Sequence, residues 1–191
     1  MMAKYERKTK ETEIRMELRK GTGESSISTG AGFLDHMLTL LSFHAGLELD
    51  VEVKGDTWVD DHHTTEDTGI VLGMLLKEVL GDKGDIRRYG TAYVPMDETL
   101  TRTVVDVSGR PYLSFNAEIC REKVGTFDTE LAEEFFRAVV MNAGLTVHMD
   151  LIRGGNAHHE IESLFKSFAR ALREAMQPGD GRLASTKGLL A

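Results

Sequence analysis

Phe33-Leu34-Asp35-His36-Met37-Leu38-Thr39-Leu40-Leu41-Ser42-Phe43-His44-Ala45-Gly46-Leu47-Glu48-Leu49-Asp50-Val51-Glu52-Val53 reads as a helix, its stop and a strand. Phe33, Leu34, Met37, Leu38 and Leu41 fall at helical spacing, and Gly46 supplies the residue that closes such a helix. From Leu47 the period changes: Leu47, Leu49, Val51 and Val53 alternate with Glu48, Asp50 and Glu52, the pattern of a half-buried strand. The same order returns about a hundred residues later. Ala143-Gly144-Leu145 repeats Ala45-Gly46-Leu47, and nine residues before each triplet stand Glu134 and His36. Downstream of each lies His-His-x-x-Glu, first His62-His63-Thr64-Thr65-Glu66 and then His158-His159-Glu160-Ile161-Glu162. This is an internal duplication of helix, strand, loop and helix.

Working outward, Thr12 to Arg19 alternates with Ile14, Met16 and Leu18 on one side, a strand. Gly21-Thr22-Gly23 makes a turn, and Ser25 to Ser28 is expected to form a short returning strand. Thr64 with Asp67 resembles a capping box that opens a helix from about Thr65 to Leu80. Strand signals cover Tyr89 to Met96, Leu100 to Val107 and Pro111 to Ile119. In the second copy, Thr129 to Met141 reads as a helix, Leu145 to Ile152 as a strand and Ala157 to Met176 as a long helix. The segment after Gln177 reads as extended and polar. The expected architecture is α+β, with helices packed on one side of mostly antiparallel sheets. It forms a single catalytic domain of two structural repeats, about 1–88 and 89–191.

The bulk numbers narrow the function. The chain has 191 residues, 41% apolar and 28% charged, as in ordinary globular proteins. Its 23 basic and 31 acidic residues give a net charge of −8, which leaves nucleic-acid binding without an electrostatic footprint. A single Cys120 rules out an intramolecular disulfide framework and fits a reducing compartment. The polar stretch Met1 to Thr12 lacks the apolar region of a signal peptide, and no apolar run approaches a membrane span. A cytoplasmic location and no membrane partner are the resulting expectations.

Four of the seven histidines fall in the two His-His-x-x-Glu windows. Residues four apart lie on one helix face, so His62 with Glu66, and His158 with Glu162, can each grip one ion. His63 and His159 project roughly 100° around the helix and are expected to reach another ion. At least two metal centres follow, sharing ligands between the halves or between neighbouring subunits. His36 and Glu134 are the natural additional ligands; Glu134 completes a coordination shell if it faces the second His-His pair, and the position is lost to water if it faces solvent. Asp60 or Asp61, just ahead of the first pair, could orient a ligating imidazole. Imidazole and carboxylate without thiolate suit Mn²⁺, Fe²⁺ or Zn²⁺. Glutamate is also favourable at any helix start, but that explanation leaves the repetition to coincidence.

These residues resemble imidazoleglycerol-phosphate dehydratases, enzymes of histidine biosynthesis. The resemblance rests on Phe33-Leu34-Asp35-His36-Met37-Leu38, Asp61-His62-His63-Thr64-Thr65-Glu66-Asp67, Pro95-Met96-Asp97-Glu98, Ser108-Gly109-Arg110-Pro111, Asn156-Ala157-His158-His159, Phe165 to Arg173 and Ser185-Thr186-Lys187-Gly188. It runs from about Thr9 to Gly188. It implies a duplicated fold like the second domain of ribosomal protein S5, an octahedral homo-oligomer of 24 subunits with shared active sites, and two Mn²⁺ per site. It also implies the activity: dehydration of D-erythro-imidazole-glycerol phosphate to imidazole-acetol phosphate. His36, His62, His63, Glu66, His158, His159 and Glu162 carry over as metal ligands. Many family members have histidine where this chain has Glu134, and a carboxylate there suits Mn²⁺.

The chemistry needs these parts. The proton to be removed is not next to a carbonyl, so the imidazole ring has to act as electron sink. A cation at each ring nitrogen favours the anionic ring. That ring can expel the C3 hydroxyl to a diazafulvene-like species, and loss of the C2 proton gives an enol that becomes the ketone. For proton transfer the resemblance points to Glu11, with Asp97 as second candidate and Glu162 at the metals. His36 and His44 match substrate-contacting positions. Arg88, Arg110, Lys166, Ser185 and Lys187 match phosphate-contacting ones. Two other readings stay open from the residues alone: a dinuclear metallohydrolase, which would release phosphate from generic esters, and a non-enzymatic metal-binding or assembly protein with closed coordination shells.

Overall fold

The computed structural model describes residues 2–186. The first half runs β1 (Met2–Lys8), β2 (Thr12–Lys20), β3 (Ser26–Ser28), α1 (Gly32–Ala45), β4 (Leu47–Gly55) and α2 (His62–Leu80). The second runs β5 (Tyr89–Met96), β6 (Thr99–Asp106), β7 (Tyr112–Asn116), a small hairpin of β8 (Lys123–Val124) and β9 (Phe127–Asp128), then α3 (Leu131–Ala143), β10 (Thr146–Arg153) and α4 (Ala157–Ala175). The two main sheets have the orders β1-β2-β4-β3 and β5-β6-β10-β7. Exchanging each strand for its counterpart turns one order into the other. In both, two antiparallel ladders are followed by one parallel edge pair, β3 on β4 and β7 on β10. The α+β architecture read from the sequence is therefore present, with helices on one face of each sheet.

Each helix touches its own sheet and a helix of the other half: α1 packs on α4, and α2 on α3. The four helices thus lie between the two sheets. Ile14, Met16 and Leu18 of β2 and Leu49 of β4 are fully buried beneath them, as their alternation requires. Across the middle, Phe135, Phe136, Phe165 and Phe168 stack against one another with ring centroids 4.6 to 5.5 Å apart. The α2–α3 contact is close because α2 presents Gly69 and Gly73. A Cβ at Gly73 would lie 2.6 Å from the Val139 carbonyl oxygen.

One strand was not anticipated, and two local expectations need correction. Residues Met2–Lys8 form β1, an edge strand in which only Ala3 is buried; a charged edge has no apolar period to announce it. Ser26–Ser28 does not return along β2 but pairs parallel with β4, because β1 and β4 already occupy both edges of β2. Helix α2 begins at His62, and no capping box closes it. Asp67 instead accepts from Arg7 at 2.8 Å and from the Thr12 hydroxyl, fastening the helix to the β1–β2 hairpin. After Gln177 the described residues hold no helix or strand, and Lys187 lies outside the described residues.

Candidate metal centre

Helix α4 is set in place by polar contacts at its start and along one flank. Asn156 accepts from the His158 and His159 backbone N–H groups at 3.0 and 3.4 Å, an N-cap at the point where ligands are needed. Glu160, 1% exposed, accepts from Gly155 N at 2.7 Å and Cys120 N at 2.9 Å, tying two loops to the helix. Along the buried flank, Ser163 and Ser167 each meet a threonine hydroxyl of β6, Thr101 and Thr103, at 2.7 Å. Two residues of strand and four of helix both advance about 6 to 7 Å, so the ladders match. They fix the register of α4 against the sheet.

That register presents His158 and Glu162 to α1. His36 Nε2 and His158 Nε2 lie 3.2 and 3.0 Å from the same Glu162 Oε2. One ligand atom from each residue lies within 4.8 Å of the others. Ligands about 2.1 Å from an ion and at right angles to one another are about 3 Å apart, so the donor set fits a hard or borderline divalent cation. Burial opposes ionisation of Glu162, but the Lys166 ammonium and the two imidazoles outweigh it and hold the carboxyl below its usual range. The group is therefore an anion ready to bind a cation. Lys166, paired to the other Glu162 oxygen, stands one turn further along.

The middle histidines point elsewhere, each held by a carboxylate on Nδ1. Asp56 lies 3.0 Å from His63 Nδ1, and Glu98 lies 3.2 Å from His159 Nδ1. Such pairs leave Nε2 available to a metal and orient the ring. Asp60 and Asp61 do not take this role: Asp60 accepts the His62 backbone N–H at 2.8 Å, and Asp61 has its carboxyl raised first by burial and then by Asp128 and Asp60. Glu11 and Asp97 occupy equivalent hairpin turns, β1–β2 and β5–β6. Glu11 is close enough to His63 to help raise its pKa, and Asp97 clusters with Glu98 and His159. Asp97 adopts φ 49°, an uncommon angle for a non-glycine residue. Asp56, Glu98 and Glu160 were not legible as site residues. Each works through a partner from a different segment.

The first pair is less assembled within one chain. His62 Nε2 lies 3.8 Å from Glu66 Oε2, and among the described residues no third ligand joins them. Among the described residues Glu134 has no hydrogen bond or ion pair with His158 or His159. Gly69 meets Phe135 and Ala138, and Gly73 meets Val139 and Asn142, so α3 runs alongside α2 with Glu134 near the level of Glu66. The reason is that helices pair across the halves: as α1 brings His36 to α4, α3 brings Glu134 to α2. Its only ion pair among the described residues is a 3.9 Å contact with Arg137.

Of the phosphate-contacting candidates, Lys166 stands on Glu162 at the metal end, while Arg88, Arg110 and Ser185 form a separate group. Arg88 donates to both Asp106 oxygens, at 2.7 and 3.2 Å, and to the Ala184 carbonyl at 2.6 Å, which places the Ala184–Ser185 segment beside it. Among the described residues two of its five N–H donors remain uncommitted. Arg110 is exposed, 3.9 Å from Asp106. The Arg88 backbone N–H binds Ala175 O at the far end of α4 from Glu162. Thirteen residues of helix separate the two points by about 20 Å.

A profile of the imidazoleglycerol-phosphate dehydratase family matches residues 29–172. Proteins named imidazoleglycerol-phosphate dehydratase from Staphylococcus epidermidis and Staphylococcus carnosus are 60% identical over 191 residues and 62% identical over 193, covering all of both chains. A crystal structure of the Staphylococcus aureus dehydratase superposes with TM-score 0.87 at 58% identity, covering 93% of this chain and 99% of that one. The corresponding enzyme from Pyrococcus furiosus gives 0.86 at 36% identity, covering 97% and 100%. A duplicated fold that gathers His36, His158 and Glu162, in a chain matched along its length by these enzymes, belongs to the imidazoleglycerol-phosphate dehydratase family of hydro-lyases.

Proposed function

We propose that this chain dehydrates D-erythro-imidazole-glycerol phosphate to imidazole-acetol phosphate in histidine biosynthesis, using two Mn²⁺ ions per active site. The observation that carries the metal dependence is the convergence of two imidazole nitrogens on one Glu162 oxygen. His36, His158, Glu162 and His63 would serve with His62, Glu66, Glu134 and His159 as ligands. When bound, the two ions supply positive charge at the ring nitrogens and favour the deprotonated ring. Asp56 and Glu98 hold the middle imidazoles in the tautomer that frees Nε2. Glu11 and Asp97, on the turns beside those imidazoles, would take the C2 proton and protonate the leaving hydroxyl. His44 borders the substrate, and Lys166 with Arg88, Arg110, Ser185 and Lys187 receives its phosphate.

A substrate of this size cannot bridge the roughly 20 Å between the two ends of α4. The separation supports a composite site, in which the Arg88–Arg110 end of one subunit faces the metal end of another. Exposed Trp58 (85%), Val59 and Phe43 supply apolar surface for such contacts, in keeping with an octahedral 24-mer in the cytoplasm. No helix of the described residues is long and apolar enough to cross a membrane. The test is incubation with imidazole-glycerol phosphate. Mn²⁺ should give the enolisable ketone without phosphate release, and a chelator should abolish it. Full turnover by protein shown to be metal-free, or phosphate release in place of ketone, would overturn the assignment.

A further inference from the structure

The end of β6 and the turn after it read Asp106-Val107-Ser108-Gly109-Arg110. Asp106 lies in a cross-strand row between Tyr89 of β5 and Thr146 of β10. Gly109, at φ 84°, turns the chain back, and the Arg110 guanidinium comes within 3.9 Å of the Asp106 carboxylate four residues earlier. The backbone of Arg110 is gripped on both sides. Its N–H donates to Ser108 Oγ at 3.2 Å, and its carbonyl accepts from the Thr146 hydroxyl at 2.9 Å. Arg88, the residue before β5, reaches the same carboxylate and donates to both of its oxygens. The Arg88 backbone takes φ 71°, uncommon for a residue with a side chain. Its N–H donates to the Ala175 carbonyl at 3.0 Å and its carbonyl accepts from Val107 N–H at 2.9 Å, which holds it there. The guanidinium also lies 4.7 Å from the centre of the Tyr89 ring.

One carboxylate thus meets two guanidiniums, and among the described residues it is the only ion-pair partner of either. The Arg88–Asp106 pair is largely buried, where salt screens a charge pair little, while Arg110 is exposed. An uncommon backbone angle held by bonds on both flanks persists where a fixed geometry is used. We propose that Asp106 is a positioning residue of the phosphate end: its carboxylate aligns Arg88 and Arg110 as one pair, so that their free N–H groups meet a phosphate monoester together. This rests on the dehydratase reading, in which both arginines receive the phosphate. Asp106 itself touches no substrate. As an anion it repels phosphate, and its favourable effect is carried by the two forks of donors that it orients.

Asp106→Asn keeps the shape of the side chain and removes its charge, which sets two effects against each other. By charge alone, losing an anion beside the site strengthens phosphate binding. Positioning predicts the reverse. Inorganic phosphate, titrated calorimetrically into the full-length Mn²⁺-loaded protein, should bind the variant about tenfold more weakly or worse. With imidazole-glycerol phosphate, KM should rise by a similar factor while kcat stays near that of the unaltered protein. Asp106→Glu, which restores the charge on a longer side chain, should recover part of the loss. Imidazole-glycerol lacking the phosphate should bind the asparagine variant and the unaltered protein alike, a pattern that a folding defect does not give. Phosphate affinity equal to or above that of the unaltered protein would overturn the proposal, as would equal losses for the phosphate-free compound. Calorimetry with phosphate needs no turnover, so it decides the role of Asp106 whether or not the chain dehydrates its proposed substrate.

Discussion

Glu134 shows how far a single residue can be argued. Its spacing from Ala143-Gly144-Leu145 copies that of His36 from Ala45-Gly46-Leu47, so its repeat position was legible. Its partner was not, because pairing across halves is a tertiary fact. The contacts of Gly69 and Gly73 bring Glu134 level with Glu66, where His62 and Glu66 lack a third ligand among the described residues. Glu134→Gln keeps the volume and removes the charge. Mn²⁺ affinity should fall by roughly tenfold or more, the scale on which even outer partners of a metal act. Glu133→Gln should leave it near normal, since Glu133 is ion-paired to Arg137 one turn along. Mn²⁺ titration of both proteins decides the matter; equal affinities would remove Glu134 from the coordination shell.

At the level of elements, periodicity was a good guide wherever one face is buried and the other wet. Leu47–Gly55, Tyr89–Met96 and Ala157–Ala175 lie where their patterns put them. It failed where the deciding partner is distant in sequence. Thr64 and Asp67 carry capping chemistry, yet Asp67 is used by Arg7 and Thr12, 60 and 55 residues away. The candidate metal ligands were legible because their four-residue spacing is local, while Asp56 and Glu98 were not, since they reach His63 and His159 from other segments. Helix pairing itself can be tested at Gly73. A methyl there would lie 2.6 Å from the Val139 carbonyl oxygen, a backbone atom that cannot swing aside. Gly73→Ala should therefore cost about 1 to 3 kcal/mol, as overpacked cores do. The midpoint of denaturant unfolding reads this loss, and an unchanged midpoint would show that α2 and α3 can separate without penalty.

For the whole molecule, the two halves of the proposed chemistry sit at opposite ends of α4. The Glu162 end gathers ligands and the Arg88 end gathers phosphate donors, with about 20 Å of helix between them. On the proposed function a working site would need two copies of the chain, and an ion drawing ligands from both would become part of the interface. Binding that only the assembled state can make stabilises that state by mass action. The first pair favours this arrangement: His62 and Glu66 are half-exposed and lack a third ligand among the described residues, beside a loop that presents Trp58 and Val59 to solvent. Removing Mn²⁺ with a chelator should therefore shrink the particle toward smaller oligomers, and restoring it should rebuild the original mass. Light scattering on the full-length protein measures both steps. If the mass stays constant after complete demetallation, contacts between apolar surfaces such as Trp58 and Phe43 hold the assembly. The ions would then be bound by a site that assembly completes, instead of being its clamps.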